Sequence, residues 1–563
     1  MLRTHKLGET VWVLCLLLAG GCQTAQHRHT SEQKKRSPTD NQQWTGGDAA
    51  LEKRAQAHAH YAAGIIQEMD EKPEAALKEY SQAALKDPDN EALVLEVSRR
   101  FLQNKQTESA LELLSRAAAR PSVSGVLLAR LGFVYAQLGK SEQAMVASRA
   151  AIKKAPGSLM GYQTLCHIYL QNKQPVEAMK ILDEAARQPK ETAEFLIGLA
   201  ELYSHLGVQT PTQRKEANTK AISVLNRAEG MSRLNPAMRM KVADDYNVAG
   251  DSARAAQIYL DLLKKLPDVP GVRERVRARL ADIYLRGSDR KHAAEQLEGI
   301  IADDPTNAQA YYSLAAIASE EGQLDKAEEY LRKAMVINPE AAPPYAELAR
   351  VQIGQKKISD ALGTLEKARA KFPRTFALEY LSGIAYSQQK AYAEAIQHYT
   401  AAEVIAQATE PKWLDQHFYF DLGAAYERKA DYAEAEKNFE KCLKLAPDFP
   451  EALNYLGYMW AEHGLHLERA RELIEKAVKI EPANPAYLDS LGWVLFKSDQ
   501  PKEAVDYVLK AVELSEEPDA TLYDHLGDIY AALKQTDKAR EAWQKSLTVE
   551  ANDQVRKKVE ELK

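Results

Sequence analysis

The stretch NYLGYMWAEHGLHLERARELIEKAVKIEP, residues 454–482, carries a pattern that recurs along most of the chain. Gly457 is followed by Ala470 after thirteen residues and by Pro482 after twelve more. The apolar residues between them have the three- and four-residue spacing of amphipathic helices. Small residues at two matched positions let two helix backbones approach closely, and proline stops a helix because its ring lacks an N–H donor. The stretch therefore predicts one packed pair of helices followed by a break.

Alanines in this register mark fourteen successive copies of the pattern. The intervals between them are 34 or 35 residues, apart from three of 43, 38 and 40. Four residues after each alanine stands a Tyr, Leu, Phe, Trp, Ile or Val, with Ser148 as the exception. One helix pair cannot bury its apolar face alone, so we expect neighbouring pairs to stack into a solenoid. The alanines are Ala76, Ala110, Ala144, Ala178, Ala221, Ala255, Ala293, Ala327, Ala361, Ala395, Ala435, Ala470, Ala504 and Ala539.

This pattern resembles the tetratricopeptide repeat, which has the same period and the same small-residue positions. The resemblance covers about residues 57–550 and implies an all-α, right-handed superhelical solenoid of about 14 helix-turn-helix repeats. Residues 551–563 have apolar positions at helical spacing and are predicted to form a capping helix. The long intervals predict loop insertions at 208–216, 267–272 and 403–413. Either these insertions are sequence variation that the fold tolerates, or they change the superhelical pitch and divide the array into three blocks.

The first residues resemble an export signal. Arg3 and Lys6 precede an apolar run at 11–19, which is shorter than the roughly 20 residues that cross a bilayer. The string Leu18-Ala19-Gly20-Gly21-Cys22 resembles the bacterial lipoprotein signal, although the family usually has Leu where Ala19 stands. The resemblance implies that residues 1–21 are removed and that Cys22 carries the lipid. An ordinary signal peptide with an incidental cysteine is the alternative.

The lipoprotein resemblance also implies a location. The modified Cys22 would carry several acyl chains, and stable anchoring needs more than one. Gln23 follows the cysteine, and in the enteric sorting rule a residue other than Asp favours the outer membrane. We therefore expect a lipid-anchored, periplasm-facing protein at the outer membrane of a Gram-negative bacterium. Residues 22–56 are predicted to be a flexible tether, although Lys34-Lys35-Arg36 and the histidines at 27, 29, 58 and 60, the last two just after the tether, leave a membrane or metal contact open.

The sequence contains no pattern that indicates catalysis. It has no glycine-rich phosphate loop, no His-Glu-x-x-His and no cysteine pair at metal spacing. Cys166 and Cys442 occupy small-residue positions of the repeat, which predicts core packing for both. The net charge of −6 argues against a general nucleic-acid binder. We expect no enzyme, no metal, no small-molecule substrate and no cofactor other than the lipid on Cys22.

Binding is the function that remains, and the repeat family implies where it occurs. Its groove is lined from the first helix of each repeat, chiefly at places 2, 5, 9, 12 and 13 when the small residue is place 8. Aromatic side chains ringed by charges at these places have the composition of a protein-binding hot spot. The alternative is that Trp493 and Phe496 simply pack between neighbouring repeats. The candidate groove residues are Asp489, Trp493, Phe496, Lys497, Asn454, Tyr458, Glu462, Phe420, Arg428 and Tyr380.

A second, narrower resemblance concerns residues 454–496, with the string Asp489-Ser-Leu-Gly-Trp493. It resembles the C-terminal repeats of outer-membrane tetratricopeptide lipoproteins, a group that includes protease adaptors. This implies a scaffold that binds periplasmic or outer-membrane proteins, among them a carboxyl-terminal processing protease and its cell-wall-modifying substrates. The alternative is an assembly factor for a secretion, type IV pilus or polysaccharide-export complex.

Overall fold

The computed structural model describes residues 48–189, 191–231, 234–265 and 271–561. Within these ranges the chain forms 29 α-helices and two short 3-10 turns, and it contains no strand. The predicted all-α class is therefore confirmed. The predicted signal peptide 1–21, the candidate lipidation site Cys22 and the tether up to residue 47 lie outside the described residues.

The helices follow one another as antiparallel pairs, with α1 and α2 forming the first pair and α27 and α28 the fourteenth. Their bounds are α1 Asp48–Met69, α2 Pro73–Lys86, α3 Glu91–Gln103, α4 Thr107–Ala118, α5 Gly125–Gln137, α6 Ser141–Lys154, α7 Leu159–Gln171, α8 Pro175–Ala185, α9 Ala193–Gln209, α10 Arg214–Glu229, α11 Pro236–Val248, α12 Ser252–Lys265, α13 Val272–Arg286, α14 Arg290–Asp303, α15 Ala308–Glu320, α16 Leu324–Ile337, α17 Pro343–Gly354, α18 Ile358–Lys371, α19 Phe376–Gln388, α20 Tyr392–Ala408, α21 Gln416–Arg428, α22 Tyr432–Leu445, α23 Pro450–Glu462, α24 Leu467–Ile480, α25 Pro485–Lys497, α26 Pro501–Leu514, α27 Ala520–Ala532, α28 Thr536–Val549 and α29 Asp553–Glu561.

The repeated alanines lie where the two helices of each pair touch. All fourteen stand on the second helix of their pair, and none is more than 1% exposed. The glycine positions explain why this contact needs small residues. A Cβ on Gly457 would lie 2.9 Å from the carbonyl oxygen of Ala470 and 2.6 Å from Cγ1 of Ile474. The contact is therefore backbone against backbone, as the spacing in the sequence predicts.

Local signals set the helix ends. Asn484 precedes α25, and its side-chain oxygen accepts a hydrogen bond from the Ala486 N–H, while Pro485 occupies the first turn where no N–H donor is needed. At the turn inside a pair, Gly464 adopts φ +66°, and the Leu465 N–H then bonds back to the Trp460 carbonyl at 2.8 Å. This left-handed turn ends α23 and starts the reversal toward α24.

The described residues divide into two compact units, one up to residue 181 and one from residue 182 onward. In the first, apolar side chains of α2 to α5 share one core that includes Tyr80, Leu114 and Leu127. In the second, successive cores follow the helix pairs, and the one near the C-terminus contains Trp460 and Trp493. The boundary near residue 181 coincides with none of the three predicted insertions.

The insertions themselves differ from the prediction. Residues 208–216 were expected to extend a loop, but α9 runs to Gln209 and α10 starts at Arg214, with only a 3-10 turn at Pro211–Gln213 near the junction. Residues 403–413 likewise lengthen α20 to Ala408 and add the turn Pro411–Trp413. The extra residues continue the helices because their backbone groups stay hydrogen-bonded there. Of the insertion predicted at 267–272, residues 267–270 lie outside the described residues.

The two ends of the array also carry helices. Helix α1 begins at Asp48, so residues 48–56, which the sequence analysis assigned to the tether, are helical. Helix α29 lies in the segment predicted to cap the C-terminus. Its Val555 is 1% exposed and packs on Trp543 of α28.

Candidate protein-binding surface

The ten candidate groove residues lie on the first helices α19, α21, α23 and α25, but they do not share one environment. Glu462 and Arg428 are exposed. Five residues are half-buried: Tyr380, Phe420, Tyr458, Phe496 and Lys497. The remaining three, Asn454, Asp489 and Trp493, are buried and present no open binding surface.

Trp493 lies between neighbouring helix pairs rather than in solvent. It is 5% exposed, and its ring stacks on the ring of His525 in α27 with centroids 3.8 Å apart. Its indole Nε1 donates a hydrogen bond to Oε2 of Glu462 in α23 at 2.6 Å. The ammonium of Lys497 lies 4.9 Å from the centroid of the indole. Trp493 therefore packs between the three first helices α23, α25 and α27. This is the alternative interpretation given for it in the sequence analysis.

Asp489 completes this cluster from the same helix as Trp493. Its carboxylate oxygens lie 2.9 and 3.0 Å from Nδ1 of His525, and both side chains are buried. Sequence reasoning missed His525 because it stands at place 6 of its helix, which is not one of the groove places. Only the stacking of α25 on α27 brings it to Asp489, 36 residues away.

The environment of His525 favours its protonated form. Burial by itself lowers the pKa of the imidazole, but the Asp489 carboxylate on Nδ1 and the nearby carboxylates of Asp524 and Asp528 outweigh it. The pKa of His525 is therefore raised above its ordinary value. The stabilisation that this provides is fully present below the unfolded-state pKa of about 6.5 and is lost as the pH rises through the folded-state pKa.

A pH titration of stability checks this. We expect the urea midpoint of the wild-type chain to fall between about pH 6 and about pH 9 by more than that of His525→Gln, which cannot gain the proton. Intrinsic tryptophan fluorescence follows the unfolding, and the difference between the two proteins removes the effect of all other titrating groups. Equal slopes in both proteins would show that the His525–Asp489 pair is uncoupled from folding.

The carboxylates of α27 are occupied by the capping helix. Lys558 of α29 lies 2.8 Å from Oδ1 of Asp524 and 2.7 Å from Oδ2 of Asp528. The indole Nε1 of Trp543 donates to Oδ1 of Asp528 at 3.1 Å. Burial raises the pKa of Asp528, and the contact with Lys558 opposes that rise. These two aspartates hold α29 on the last helix pair.

An open aromatic pocket lies further toward the N-terminus, between α19 and α21. The cavity measures about 380 Å³ and is lined by Phe376, Tyr380, Lys412, Trp413, Asp415 and His417. We call these six residues the aromatic pocket. Trp413 is 41% exposed, and its ring meets that of Phe376 edge-on with centroids 5.0 Å apart. The pocket thus combines an accessible indole with charged side chains.

The pocket owes its shape to the insertion at 403–413. The turn Pro411–Trp413 places Trp413 over the start of α19, and a hydrogen bond from its Nε1 to Glu410 at 2.7 Å holds the ring. On the opposite side, the hydroxyl of Tyr380 donates to Asp421 at 2.6 Å. Tyr380 was predicted as a groove residue and 403–413 as an insertion, but nothing in the sequence linked the two. Sequence analysis missed Trp413 and Phe376, although an aromatic residue within an insertion is a signal that could have indicated them.

Other reactive groups are buried or dispersed. Cys166 and Cys442 are buried, and burial raises the pKa of each thiol to about 12, so both are protonated at neutral pH. Among the described residues no three His, Cys, Asp or Glu side chains come together as a metal site. None of the described helices combines the length and hydropathy needed to cross a membrane.

Comparison with known proteins agrees with the repeat pattern. Four family models, each described as tetratricopeptide repeat, match residues 297–329, 318–381, 417–449 and 520–553. The chain contains tetratricopeptide repeats. The aromatic pocket and the Trp493 cluster both lie in the compact unit in which all four of these matches fall.

The relatives of this chain are distant in sequence. It is 28% identical over 222 residues to the TPR repeat-containing protein PA4667 of Pseudomonas aeruginosa, covering 39% of this chain and 36% of that protein. It is 23% identical over 415 residues to human anaphase-promoting complex subunit 7, covering 69% of this chain and 71% of that protein. The crystal structure of the APC/C hetero-tetramer Cut9-Hcn1 aligns with TM-score 0.38 at 16% identity, over 82% of this chain and 94% of that one. The chain thus spans about a third of the length of the Pseudomonas relative.

Proposed function

We propose that this tetratricopeptide chain is a non-enzymatic scaffold that binds other proteins through the aromatic pocket. The observation that carries the proposal is the accessible indole of Trp413 beside Phe376 and Tyr380, with Lys412, Asp415 and His417 at the edge. Aromatic anchors surrounded by polar groups contribute most of the free energy at protein interfaces. Arg428 is exposed on α21, the helix that also carries His417, and adds a positive charge to that helix.

We propose further that the scaffold is anchored by lipid on Cys22 and faces the periplasm from the outer membrane. Support comes from the sequence 18–22 and from the resemblance of residues 454–496 to outer-membrane lipoproteins. Anchoring confines a partner to a thin layer and raises its effective concentration, so that weak contacts suffice. The proposed partners are a carboxyl-terminal processing protease and the cell-wall-modifying proteins that it cleaves.

Affinity capture from cross-linked membranes tests the binding proposal. The tagged wild-type chain is expected to enrich a processing protease or a cell-wall hydrolase, and Trp413→Ala is expected to lose most of this enrichment. Tyr507→Ala is the matched control, because Tyr507 is similarly exposed but lies on the second helix α26, away from the pocket. Equal capture by Trp413→Ala would exclude the pocket. Enrichment of secretin, pilus or export components would instead favour the assembly-factor alternative.

A second arm tests the anchor. Cys22→Ala is expected to move the chain out of the outer-membrane fraction without changing its resistance to limited proteolysis. If the variant still fractionates with the outer membrane, the anchor assignment is wrong, whatever the capture experiment finds.

A further inference from the structure

Helix α1 exposes an apolar stripe on the side that faces away from α2. The opposite side is closed, since Ala57 and Gly64 are buried and the Tyr80 ring packs against Gly64. The exposed positions are separated alternately by four and three residues, which is the spacing of a coiled-coil seam. We call these positions the outer stripe; they are Leu51, Ala55, His58, Ala62, Ile65 and Met69, and all are exposed.

The outer stripe includes strongly exposed large apolar side chains. Met69 is 79% exposed, and Leu51 and the neighbouring Ile66 are each 57% exposed. No other helix among those described exposes as many large apolar side chains. In the next pair, Val94 and Val97 of α3 share a core with Leu77 of α2, so the preceding helix covers them. Helix α1 has no preceding pair within the described residues, which leaves its stripe uncovered.

The C-terminal end of the array is built differently. There α29 closes the last pair with Val555 turned inward, while Gln554, Arg556, Lys557 and Glu560 are exposed. A head-to-tail contact would therefore place charged side chains on the outer stripe and desolvate them without partners. Terminal repeats of a solenoid normally carry such a polar outer face, and α1 does not.

The segment just before α1 is poor in large apolar residues. Residues 23–47 contain no Leu, Ile, Val, Met or Phe, and Trp44 is their one large apolar side chain. If residues 1–21 are removed as predicted, this end of the chain offers little aliphatic surface of its own to match the outer stripe, whereas a second copy offers an identical stripe.

We propose that the outer stripes of two copies pair as an antiparallel, two-fold helix dimer. With the axis near residue 60, Leu51 of one copy meets Met69 of the other, and Ala55 meets Ile65. His58 then meets Ala62, so that in both inner pairs a large side chain faces a small one. The stripe runs for about 27 Å at 1.5 Å per residue, nearly three heptads. A two-fold contact of this kind closes on itself and does not propagate into a filament.

The dimer goes beyond the proposed scaffold function and does not depend on which partner binds. In an anchored protein it would give each assembly two lipidated ends and two copies of the aromatic pocket. A partner that engages both pockets would be held by avidity.

Photo-crosslinking of the full chain in cells tests the dimer. Two differently tagged copies are co-expressed, each with benzoylphenylalanine at position 58, and irradiation is expected to give an adduct that contains both tags. Ile65→Glu combined with Ile66→Glu is expected to reduce this adduct to background. The matched control is Val146→Glu with Val336→Glu, because both valines are highly exposed but lie outside α1. Limited proteolysis confirms that each variant is folded, and Leu51→Glu repeats the test at the other end of the stripe.

The dimer is supported if the two-tag adduct forms and only the stripe variants lose it. It is overturned if wild type gives no such adduct, or if the adduct survives both stripe variants. Adducts of position 58 with lipid, with a different protein or with the same chain's own N-terminal residues, in place of the two-tag adduct, would likewise overturn it.

Discussion

Replacing Ala361 by Trp is expected to lower the free energy of unfolding of its helix pair by about 1–3 kcal/mol or more. Ala361 is fully buried in α18 and shares a core with Ala349, Leu365 and Leu378. An indole has no space at a site where two backbones touch, so α17 and α18 must move apart. The same reasoning applies at each of the fourteen alanines.

The loss is expected to remain local because repeats of a solenoid contact mainly their neighbours. Hydrogen exchange should show α17 to α19 losing protection while α27 and α28 keep theirs. Ala370→Trp is the matched control, since Ala370 lies on the same helix but is exposed, and it should change little. Loss of protection throughout the chain would mean tighter coupling between repeats than stacking alone provides.

Replacing Trp493 by Ala is expected to destabilise the C-terminal repeats by about 3–5 kcal/mol, the usual range for a buried Trp. The substitution removes the stack on His525 and leaves a cavity in the core that contains Trp460 and Val508. It also deprives the Glu462 carboxylate of its indole donor. Helices α23, α25 and α27 should therefore lose protection together.

Trp413→Ala is the comparison for Trp493→Ala, because the substitution is the same but Trp413 is 41% exposed and Trp493 only 5%. Urea unfolding, with hydrogen exchange as the readout, should show a much smaller loss of stability for Trp413→Ala. If the two variants lost equal stability, the burial of Trp493 would not be what stabilises these repeats. In a binding experiment, Trp493→Ala would therefore lose a partner through unfolding as well as through a lost contact. Trp413→Ala would remove the contact while leaving the repeats folded.

Local spacing was enough to predict the repeated architecture. The helix pairs, the buried alanines and the close contact at Gly457 follow from period and residue size, because each repeat packs mainly on itself and its neighbours. The same reasoning failed for the insertions, since residue spacing shows that extra residues are present but not whether they continue a helix. Residues 208–209 and 403–408 do continue one.

The sequence by itself determined the helix-pair period and which positions are small and buried, because these depend on spacing within about forty residues. Only the tertiary structure decided which first-helix side chains remain accessible. Trp493 and Trp413 both lie near the first-helix side of their repeats, yet the neighbouring helix α27 covers one with His525, while a 3-10 turn leaves the other at the edge of a cavity. That difference depends on side chains from adjoining elements, and therefore on how the helices stack.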